Sequence, residues 1–275
     1  MSVDYEEIQL RYNNSAKEAP IVIIDSGVGG LNITRKFIDE KVCENVIFFV
    51  DHEFLPFGNK DPRILSRRII NIITRVKKLQ PKMVILACNT IDAIVGDKIS
   101  GQLGNIPFIR IIEPTSMEAV KNSNTKQIAL LATINTVTSQ KYMMDMLGYA
   151  ANTHLYGIEC ANLVSAIESN DNIKTVVKEE IQAIEELKVD TIILGCTHFS
   201  SVIPIIKKQY KDHIIIDSSE VVLKQAFKHL ETKLDYAVAN KGEVMIITTA
   251  LDDELQKNIT KIMGEKEYKI LLDEF

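Results

Sequence analysis

No run of apolar residues in this sequence approaches the roughly 18 to 20 residues that a bilayer-spanning helix needs. The longest apolar stretches are short ones such as VIFFV (46–50) and MVILAC (83–88). The first twenty residues also lack the apolar core of a signal peptide, and they predict a mobile leader over residues 1–19. We therefore expect a cytoplasmic protein that has no membrane partner.

A surplus of basic residues is missing as well. The 32 Lys and Arg residues are outnumbered by 37 Asp and Glu residues, which gives a formal net charge of −5. Because nucleic-acid phosphates are bound mainly by Lys and Arg, we expect no nucleic-acid partner. The 275 residues are 46% hydrophobic and 25% charged, as in a globular protein with two domains of ordinary size.

Cysteine pairs of the kind that bind zinc are absent too. The four cysteines, Cys43, Cys88, Cys160 and Cys196, form no CxxC motif and no zinc-type spacing with histidine. We expect no metal and no disulfide, so each thiol serves either packing or chemistry. Cys43 and Cys160 have no polar neighbours that suggest chemistry, and we interpret them as packing residues.

Short apolar runs bounded by turn residues alternate with longer segments of helical periodicity. This pattern is typical of buried parallel strands joined by helices, and it predicts an α/β fold with mainly parallel sheets. Nine strands exceed the needs of one small sheet. The predicted strands cover residues 21–24, 45–50, 83–87, 108–111, 127–131, 153–156, 191–195, 214–216 and 243–248.

Two pairs of segments resemble each other within the chain. PKMVILACNT (81–90) and VDTIILGCTH (189–198) both run from an apolar strand through a small residue and a cysteine into a helix, and IVIIDS (21–26) more weakly resembles HIIIDS (213–218). No linker-like composition separates the halves, so we expect the chain to cross between domains more than once. We predict one domain from residues 20–114 plus 225–275 and another from residues 115–224.

Polar residues cluster directly after the predicted strands, where open α/β sheets bind their ligands. Cys88 and Cys196 each lie at a strand-to-helix turn, where backbone N–H groups and the helix dipole favour a thiolate. A single cysteine at such a place is more often a packing residue, but two in matched contexts favour chemistry. The polar residues after strands are Asp25, Ser26, Asp51, Cys88, Asn89, Thr90, Glu113, Thr133, Cys196, Thr197 and His198.

Three kinds of function fit this pattern. Inversion of a stereocentre needs a base on one face of the carbon and an acid on the other, and two equivalent thiols meet that need. A thiol hydrolase would instead use Cys196 with His198, and Cys88 would then be dispensable. A binding protein that closes on an acidic amino acid would need neither thiol.

The glycine-rich turn DSGVGGLN (25–32) is compared first with the dinucleotide fingerprint G-x-G-x-x-G. The third glycine position is occupied by Asn32, so no dinucleotide is predicted even though Asp51 ends the next strand. We expect the glycines to let backbone amides approach a small anion, and Asp25 to bind an ammonium group or steer a thiol. The turn LPFGNK (55–60) has amides that can hold a carboxylate. Glu168, taken alone, is interpreted as a solvated charge at a helix end.

Several motifs together resemble the glutamate-specific members of the aspartate/glutamate racemase family. They are IVIIDSGVGGL, LPFGNK, VILACNT, IIEP, the segment 133–142 and DTIILGCTHF, which occur in the family's order between residues 20 and 264. The resemblance implies two pseudo-symmetric flavodoxin-like domains, no cofactor, and glutamate as a small-molecule substrate bound between the domains. It also implies a homodimer and a supply of D-glutamate for peptidoglycan synthesis. Racemisation of aspartate or another amino acid is the rival activity within the family.

The resemblance also assigns roles to individual residues. It implies that Cys88 exchanges the proton of D-glutamate and Cys196 that of L-glutamate, with Asp25, His198 and Glu168 as acid/base neighbours. The residues implied in substrate binding are Asp25, Ser26, Phe57, Gly58, Asn89, Thr90, Thr136, Thr197 and His198.

The sequence departs from the family pattern at a few positions. Phe57 replaces a usual Tyr, Ala132 a usual Gly, Ala161 a common Pro, and Ser200-Ser201 a usual Pro-Leu. None of these positions carries a thiol. We therefore expect them to reshape the pocket for the substrate side chain rather than the acid/base chemistry.

Overall fold

The computed structural model describes residues 3–12, 15–40, 44–233, 237 and 242–273. Cys43 lies outside the described residues. Every strand pair in the described ranges is parallel. The strands are β1 (Ile21–Asp25), β2 (Val46–Val50), β3 (Met83–Leu86), β4 (Phe108–Arg110), β5 (Gln127–Ala132), β6 (His154–Glu159), β7 (Thr191–Gly195), β8 (Ile214–Asp217), β9 (Val244–Thr248) and β10 (Lys269–Leu272).

Helices connect almost all of these strands and cover both faces of the sheets. Short 3₁₀ helices span Ala16–Glu18, His52–Phe54, Phe57–Asn59, Gln182–Glu186 and Thr197–Val202. None of the helices in the described part of the chain is long and apolar enough to cross a membrane. The α-helices are α1 (Tyr5–Arg11), α2 (Gly29–Asp39), α3 (Pro62–Lys78), α4 (Asn89–Leu103), α5 (Ile112–Asn122), α6 (Ile134–Thr138), α7 (Lys141–Tyr149), α8 (Leu163–Glu168), α9 (Ile173–Ile181), α10 (Ile203–Gln209), α11 (Ser218–Lys233) and α12 (Asp253–Met263).

Helix α3 illustrates why these segments fold locally as they do. The Asp61 side chain accepts a hydrogen bond from the Arg63 N–H, and Pro62 occupies the first helical turn, where its missing N–H costs nothing. Leu65, Ile69, Ile72, Ile73 and Val76 then recur at helical spacing and are all buried. The helix thus begins at a local cap and is held by its apolar stripe.

The strands form two sheets, which confirms the predicted α/β fold. The first sheet has the order β10-β9-β2-β1-β3-β4 and the second the order β6-β5-β7-β8. Strands β1 to β4 belong to one half of the molecule and β5 to β8 to the other. When the strands of each half are numbered from its own first strand, both halves have the same order, β2-β1-β3-β4 in the first and β6-β5-β7-β8 in the second. The chain builds β1 to β4, then the whole second sheet, and finally returns to add β9 and β10 to the first.

This topology distinguishes the two sequence resemblances within the chain. Strands β3 and β7, which precede Cys88 and Cys196, are the third strands of their halves and are therefore equivalent. Strands β1 and β8, which carry IVIIDS and HIIIDS, are the first strand of one half and the fourth of the other. The second resemblance therefore does not reflect equivalent positions in the two halves.

The N-terminal segment differs from the expected mobile leader. Asp4 caps α1 by accepting hydrogen bonds from the backbone N–H groups of Glu6 and Glu7. Tyr5, Ile8 and Tyr12 are buried in the core beneath α3, and the Tyr5 hydroxyl donates to Asp273 Oδ2 at 2.5 Å. These residues recur at spacings of three and four, so they form an apolar stripe that a helix can bury. The structure thus replaces a mobile leader with a docked helix over these residues.

Candidate active site

The carboxyl ends of both sheets open onto one pocket. In each sheet the first and third strands are neighbours, and their connections leave in opposite directions, which creates the crevice in which such folds bind ligands. The pocket has an empty volume of about 620 Å³, part of it open to solvent, and this suits a small molecule. Its lining comprises Asp25, Ser26, residues 55–59, Cys88, Asn89, Thr90, Thr133, Ile134, Cys160, Ala161, Val164, Cys196, Thr197 and His198.

Cys88 occupies the position before the first residue of helix α4, at the end of the first sheet. Its Sγ lies 3.4 Å from the Ser26 Oγ, and the Ser26 backbone N–H donates to Asp25 Oδ1 at 2.7 Å. Burial raises the pKa of the Cys88 thiol, and the nearby Asp25 carboxylate raises it further, whereas the Ser26 hydroxyl lowers it. Cys88 therefore favours the protonated thiol.

Asp25 joins the turns that carry the two thiols. The Thr197 hydroxyl of the second sheet donates to Asp25 Oδ2 at 2.8 Å. Burial raises the pKa of Asp25, although the charge of His198 and the hydrogen bonds from Thr197 and Ser26 act in the opposite direction. Its two oxygens thus hold one partner from each half of the molecule.

Cys196 follows β7 and has a different set of neighbours. Its Sγ lies 3.5 Å from His198 Nδ1, and His198 Nε2 lies 2.5 Å from Glu168 Oε1. Burial opposes the charge of the His198 imidazolium, but the Cys196 sulfur and the Glu168 carboxylate together raise the pKa of His198 well above its usual value. Burial would raise the pKa of Glu168, but the hydrogen bond and charge of His198 lower it. The pair is therefore an imidazolium and a carboxylate, and the imidazolium places a positive charge beside the Cys196 sulfur.

The glycine turn after β1 admits protein side chains rather than the small anion expected from the sequence. A Cβ atom on Gly27 would lie 2.8 Å from Glu168 Oε1, and one on Gly29 would lie 2.7 Å from Thr197 Cβ. The Val28 backbone N–H favours the charged form of Glu168. The anion that this turn receives is therefore the carboxylate of Glu168, and the glycines allow the two halves to approach closely.

Three threonine hydroxyls form a cluster at the pocket. Thr90 Oγ1 lies 2.8 Å from Thr133 Oγ1, and Thr136 Oγ1 lies 3.1 Å from Thr133 and 3.4 Å from Thr90. Thr90 and Thr133 line the pocket, and their hydroxyls are able to rotate a hydrogen towards a ligand carboxylate. Thr136, which was predicted to bind substrate, is outside the lining and contacts both of these hydroxyls. Thr133 was not among the predicted site residues, although its place directly after β5 was a signal for it.

The turn with Phe57 and Gly58 is fixed against the second sheet. The Asn135 side-chain amide donates to the backbone carbonyls of Phe57 at 3.0 Å and Lys60 at 2.9 Å. A Cβ atom on Gly58 would lie 2.8 Å from Thr133 Cβ. The turn therefore reaches the pocket edge with its backbone amides in a defined direction, while the Phe57 ring is buried.

Other residues singled out from the sequence lie outside this chemistry. Asp51 is buried and accepts from Arg68 Nη2 at 2.8 Å and from the Thr249 hydroxyl at 2.8 Å, so it has a structural role. Cys160 is buried, packs in the core of the second sheet and borders the pocket wall. The Ser200 hydroxyl donates to Asp217 Oδ1 and lies outside the pocket lining. Over the described ranges, no group of three or more His, Cys, Asp or Glu residues is arranged to hold a metal ion.

Comparisons with known proteins identify the family of this chain. A sequence model of the Asp/Glu/Hydantoin racemase family matches residues 44–226. A glutamate racemase from Clostridium perfringens strain 13 is 29% identical over 90% of this chain and 98% of its own length, and one from Picosynechococcus is 31% identical over 78% of each. The crystal structure of a glutamate racemase from Francisella tularensis in complex with D-glutamate shares the fold, with a TM-score of 0.86 at 24% identity over 93% of this chain and 97% of that one. The chain belongs to the Asp/Glu/hydantoin racemase family.

Proposed function

We propose that this chain is a glutamate racemase that interconverts L- and D-glutamate without a cofactor. The observation that carries the proposal is that Cys88 and Cys196 line one pocket from equivalent strands of two opposed sheets. Relatives that cover most of the chain are named glutamate racemase, which supports glutamate as the substrate.

The proposed reaction exchanges one proton on each face of the α-carbon. With L-glutamate bound, the Cys196 thiolate beside the His198 imidazolium removes the α-proton. The Cys88 thiol then delivers its own proton to the opposite face, which gives D-glutamate and leaves the charge on Cys88. The reverse reaction uses the same groups in exchanged roles. Asp25 and Ser26 set the protonation of Cys88, and Glu168 keeps His198 charged.

Substrate binding is proposed to use the polar lining of the same pocket. The Thr90 hydroxyl, the Asn89 amide and the backbone of Phe57 and Gly58 line the pocket and supply donors for carboxylates. The Thr136 hydroxyl lies outside the lining and is proposed to assist through its contact with Thr90. Asp25, Ser26, Thr197 and His198 surround the place where the ammonium group and the reacting carbon would lie.

The setting of the reaction is part of the proposal. We infer that the protein acts in the cytoplasm as a homodimer, binds no nucleic acid, and supplies D-glutamate for peptidoglycan synthesis. The proposed domains, residues 20–114 plus 225–275 and residues 115–224, would hold the substrate between them.

Circular dichroism tests the proposal directly. Purified protein is mixed with L-glutamate, and separately with D-glutamate, and the optical activity is followed with no cofactor added. Decay of both signals to zero is expected. Unchanged signals with glutamate but decay with aspartate would move the activity to another member of the same family.

A thiol hydrolase is the second candidate, because Cys196, His198 and Glu168 are aligned as a nucleophile, a base and an orienting acid. Substitution separates the two functions. In a racemase, both Cys88→Ser and Cys196→Ser abolish inversion, and each variant still exchanges the α-proton of one enantiomer in deuterated water. In a hydrolase, only Cys196→Ser matters, and Cys88→Ser keeps full activity.

A further inference from the structure

Asn89, the residue after Cys88, is held by a chain of three buried hydrogen bonds. The Tyr142 hydroxyl donates to Asn89 Oδ1 at 2.6 Å, and Asn89 Nδ2 donates to Ser218 Oγ at 3.2 Å. The Ser218 hydroxyl in turn donates to the backbone carbonyl of Leu194 at 2.8 Å. Asn89 lines the pocket, whereas Tyr142 and Ser218 stand behind it and are 1% and 0% exposed.

A count of hydrogens fixes the direction of the Asn89 amide. The Leu194 carbonyl only accepts, so it takes the single hydrogen of the Ser218 hydroxyl. The Ser218 oxygen must then accept from Asn89, and this places the amide nitrogen towards Ser218. The amide oxygen therefore faces Tyr142, whose hydroxyl must donate to it.

This arrangement leaves a donor for a ligand. In the described part of the chain, no hydrogen bond uses the second Nδ2 hydrogen of Asn89. A flipped amide would instead present its oxygen, which repels a carboxylate. The carbonyl that sets the direction of the Asn89 amide belongs to Leu194, two residues before Cys196. The chain of hydrogen bonds therefore also joins the strand before Cys196 to the turn that follows Cys88.

We propose that Tyr142 and Ser218 are positioning residues that fix the Asn89 amide with an N–H directed at a substrate carboxylate. This inference rests on the proposed glutamate racemase function. Neither residue touches the substrate, and each acts only through Asn89. Tyr142 lies on α7 and Ser218 begins α11, so the second half of the molecule orients a binding group carried by the first.

Tyr142→Phe removes the hydroxyl alone and provides the main test. We expect KM to rise about three- to ten-fold for both enantiomers, as the loss of one hydrogen bond predicts. The value of kcat should stay within about two-fold, because the carboxylate is charged both before and during proton transfer. Since the equilibrium constant of racemisation is one, kcat/KM must fall equally in both directions.

Tyr210→Phe is the matched control. The Tyr210 hydroxyl is also buried and donates to the Ile181 carbonyl at 2.9 Å, but it lies outside the pocket. A merely structural role predicts that both variants lose stability and keep their KM. A KM for Tyr142→Phe within two-fold of the unsubstituted value would overturn the proposal.

Ser218 offers a second and independent test. Ser218→Ala lets the amide rotate and should raise KM at least as much, whereas Ser218→Thr keeps the hydroxyl and should restore binding. If the unsubstituted protein does not change the circular dichroism of glutamate, the proposed function fails. The hydrogen bonds of Asn89 are then tested separately by NMR. Slow hydrogen exchange of the Asn89 side-chain amide that becomes fast in Ser218→Ala supports the chain, and equal exchange in both proteins contradicts it.

Discussion

At the scale of single residues, the two thiols occupy equivalent positions but have unequal neighbours. Cys88 faces a hydroxyl and a carboxylate, and Cys196 faces an imidazolium that is paired with Glu168. The cation beside Cys196 and the anion beside Cys88 therefore make the surroundings of the two thiols electrostatically unequal.

This asymmetry predicts the order of alkylation. At pH 7, iodoacetamide should modify Cys196 faster than Cys88, because the thiolate is the reactive form. Cys160 is fully buried and serves as the unreactive reference. Peptide mass spectrometry over time gives the order, and faster labelling of Cys88 would show that the charge rests on the other thiol.

A second prediction concerns Glu168→Gln, which removes the negative charge beside His198. The Glu168 carboxylate raises the pKa of His198, so the variant imidazole loses its proton at lower pH. The alkaline limb of the kcat/KM profile should therefore move to lower pH. An unchanged limb would mean that Glu168 does not control the protonation of His198.

The raised pKa of His198 also affects the stability of the fold. A raised pKa of His198 stabilises the folded chain fully below the ordinary histidine pKa, and this contribution is lost as the pH rises through the raised value. The lowered pKa of Glu168 contributes above the ordinary glutamate pKa and is lost as the pH falls through the lowered value. Glu168→Gln should thus cost the most stability near neutral pH, as urea unfolding at several pH values will show.

The predicted site residues that the structure brings together at the pocket are mostly those with a local signal in the sequence. Polar residues directly after strands, such as Cys88, Asp25 and His198, were found from their positions alone, and the structure brings them together at one pocket. Glu168 carries no such signal, because it ends a helix and resembles a solvated charge. Only its packing against His198, thirty residues along the chain, shows where it belongs.

At the scale of elements, the nine predicted strands are all present, with ends that differ by a few residues. Their buried apolar runs are strong local signals. Strand β10 was missed, since it is an edge strand whose residues are only half-buried or exposed. Helix α1 was missed because its apolar stripe is short and is flanked by charged residues, so it is stabilised by packing rather than by propensity.

The glycine turn provides a prediction about how elements meet. In Gly29→Ala, the new Cβ would lie 2.7 Å from Thr197 Cβ and 2.9 Å from the His198 backbone nitrogen, so the second half must shift. We expect a fall in kcat/KM of at least about ten-fold, as displacements of this size near reacting groups cause.

Gly101→Ala is the control for this substitution. Gly101 lies within α4 and has no atom within 4 Å of its added Cβ, so alanine should stabilise the helix by about 0.5–1 kcal/mol and leave the kinetics unchanged. Equal activity of the Gly29 and Gly101 variants would contradict the close approach of the two halves at this turn.

At the scale of the whole molecule, hydrogen bonds cross between the two halves around the site. Asp25 binds Thr197, Thr90 contacts Thr133, and Asn89 binds Ser218. These partners are far apart along the chain and carry no shared sequence signal. The fold class was therefore predictable from local patterns, whereas the pairing of side chains across the pocket was not.

The docked N-terminal helix gives a prediction at this scale. Ile8 is buried beneath α3, so Ile8→Ala should lower the free energy of unfolding by about 2–4 kcal/mol. Leu10 lies on the same helix but is 65% exposed, so Leu10→Ala should change the free energy of unfolding by less than about 0.5 kcal/mol. Urea unfolding that finds equal effects for the two variants would mean that α1 does not dock.

The hydrogen bonds across the pocket also bear on how fast substrate can come and go. Both thiols are buried, with Cys88 5% and Cys196 9% exposed, and the polar contacts between the halves surround them. We predict that substrate entry and product release separate these contacts, so that each catalytic cycle includes movement of the protein against solvent friction. Turnover should therefore slow as glycerol or sucrose thickens the medium, even though the proton transfers themselves involve no motion of that size.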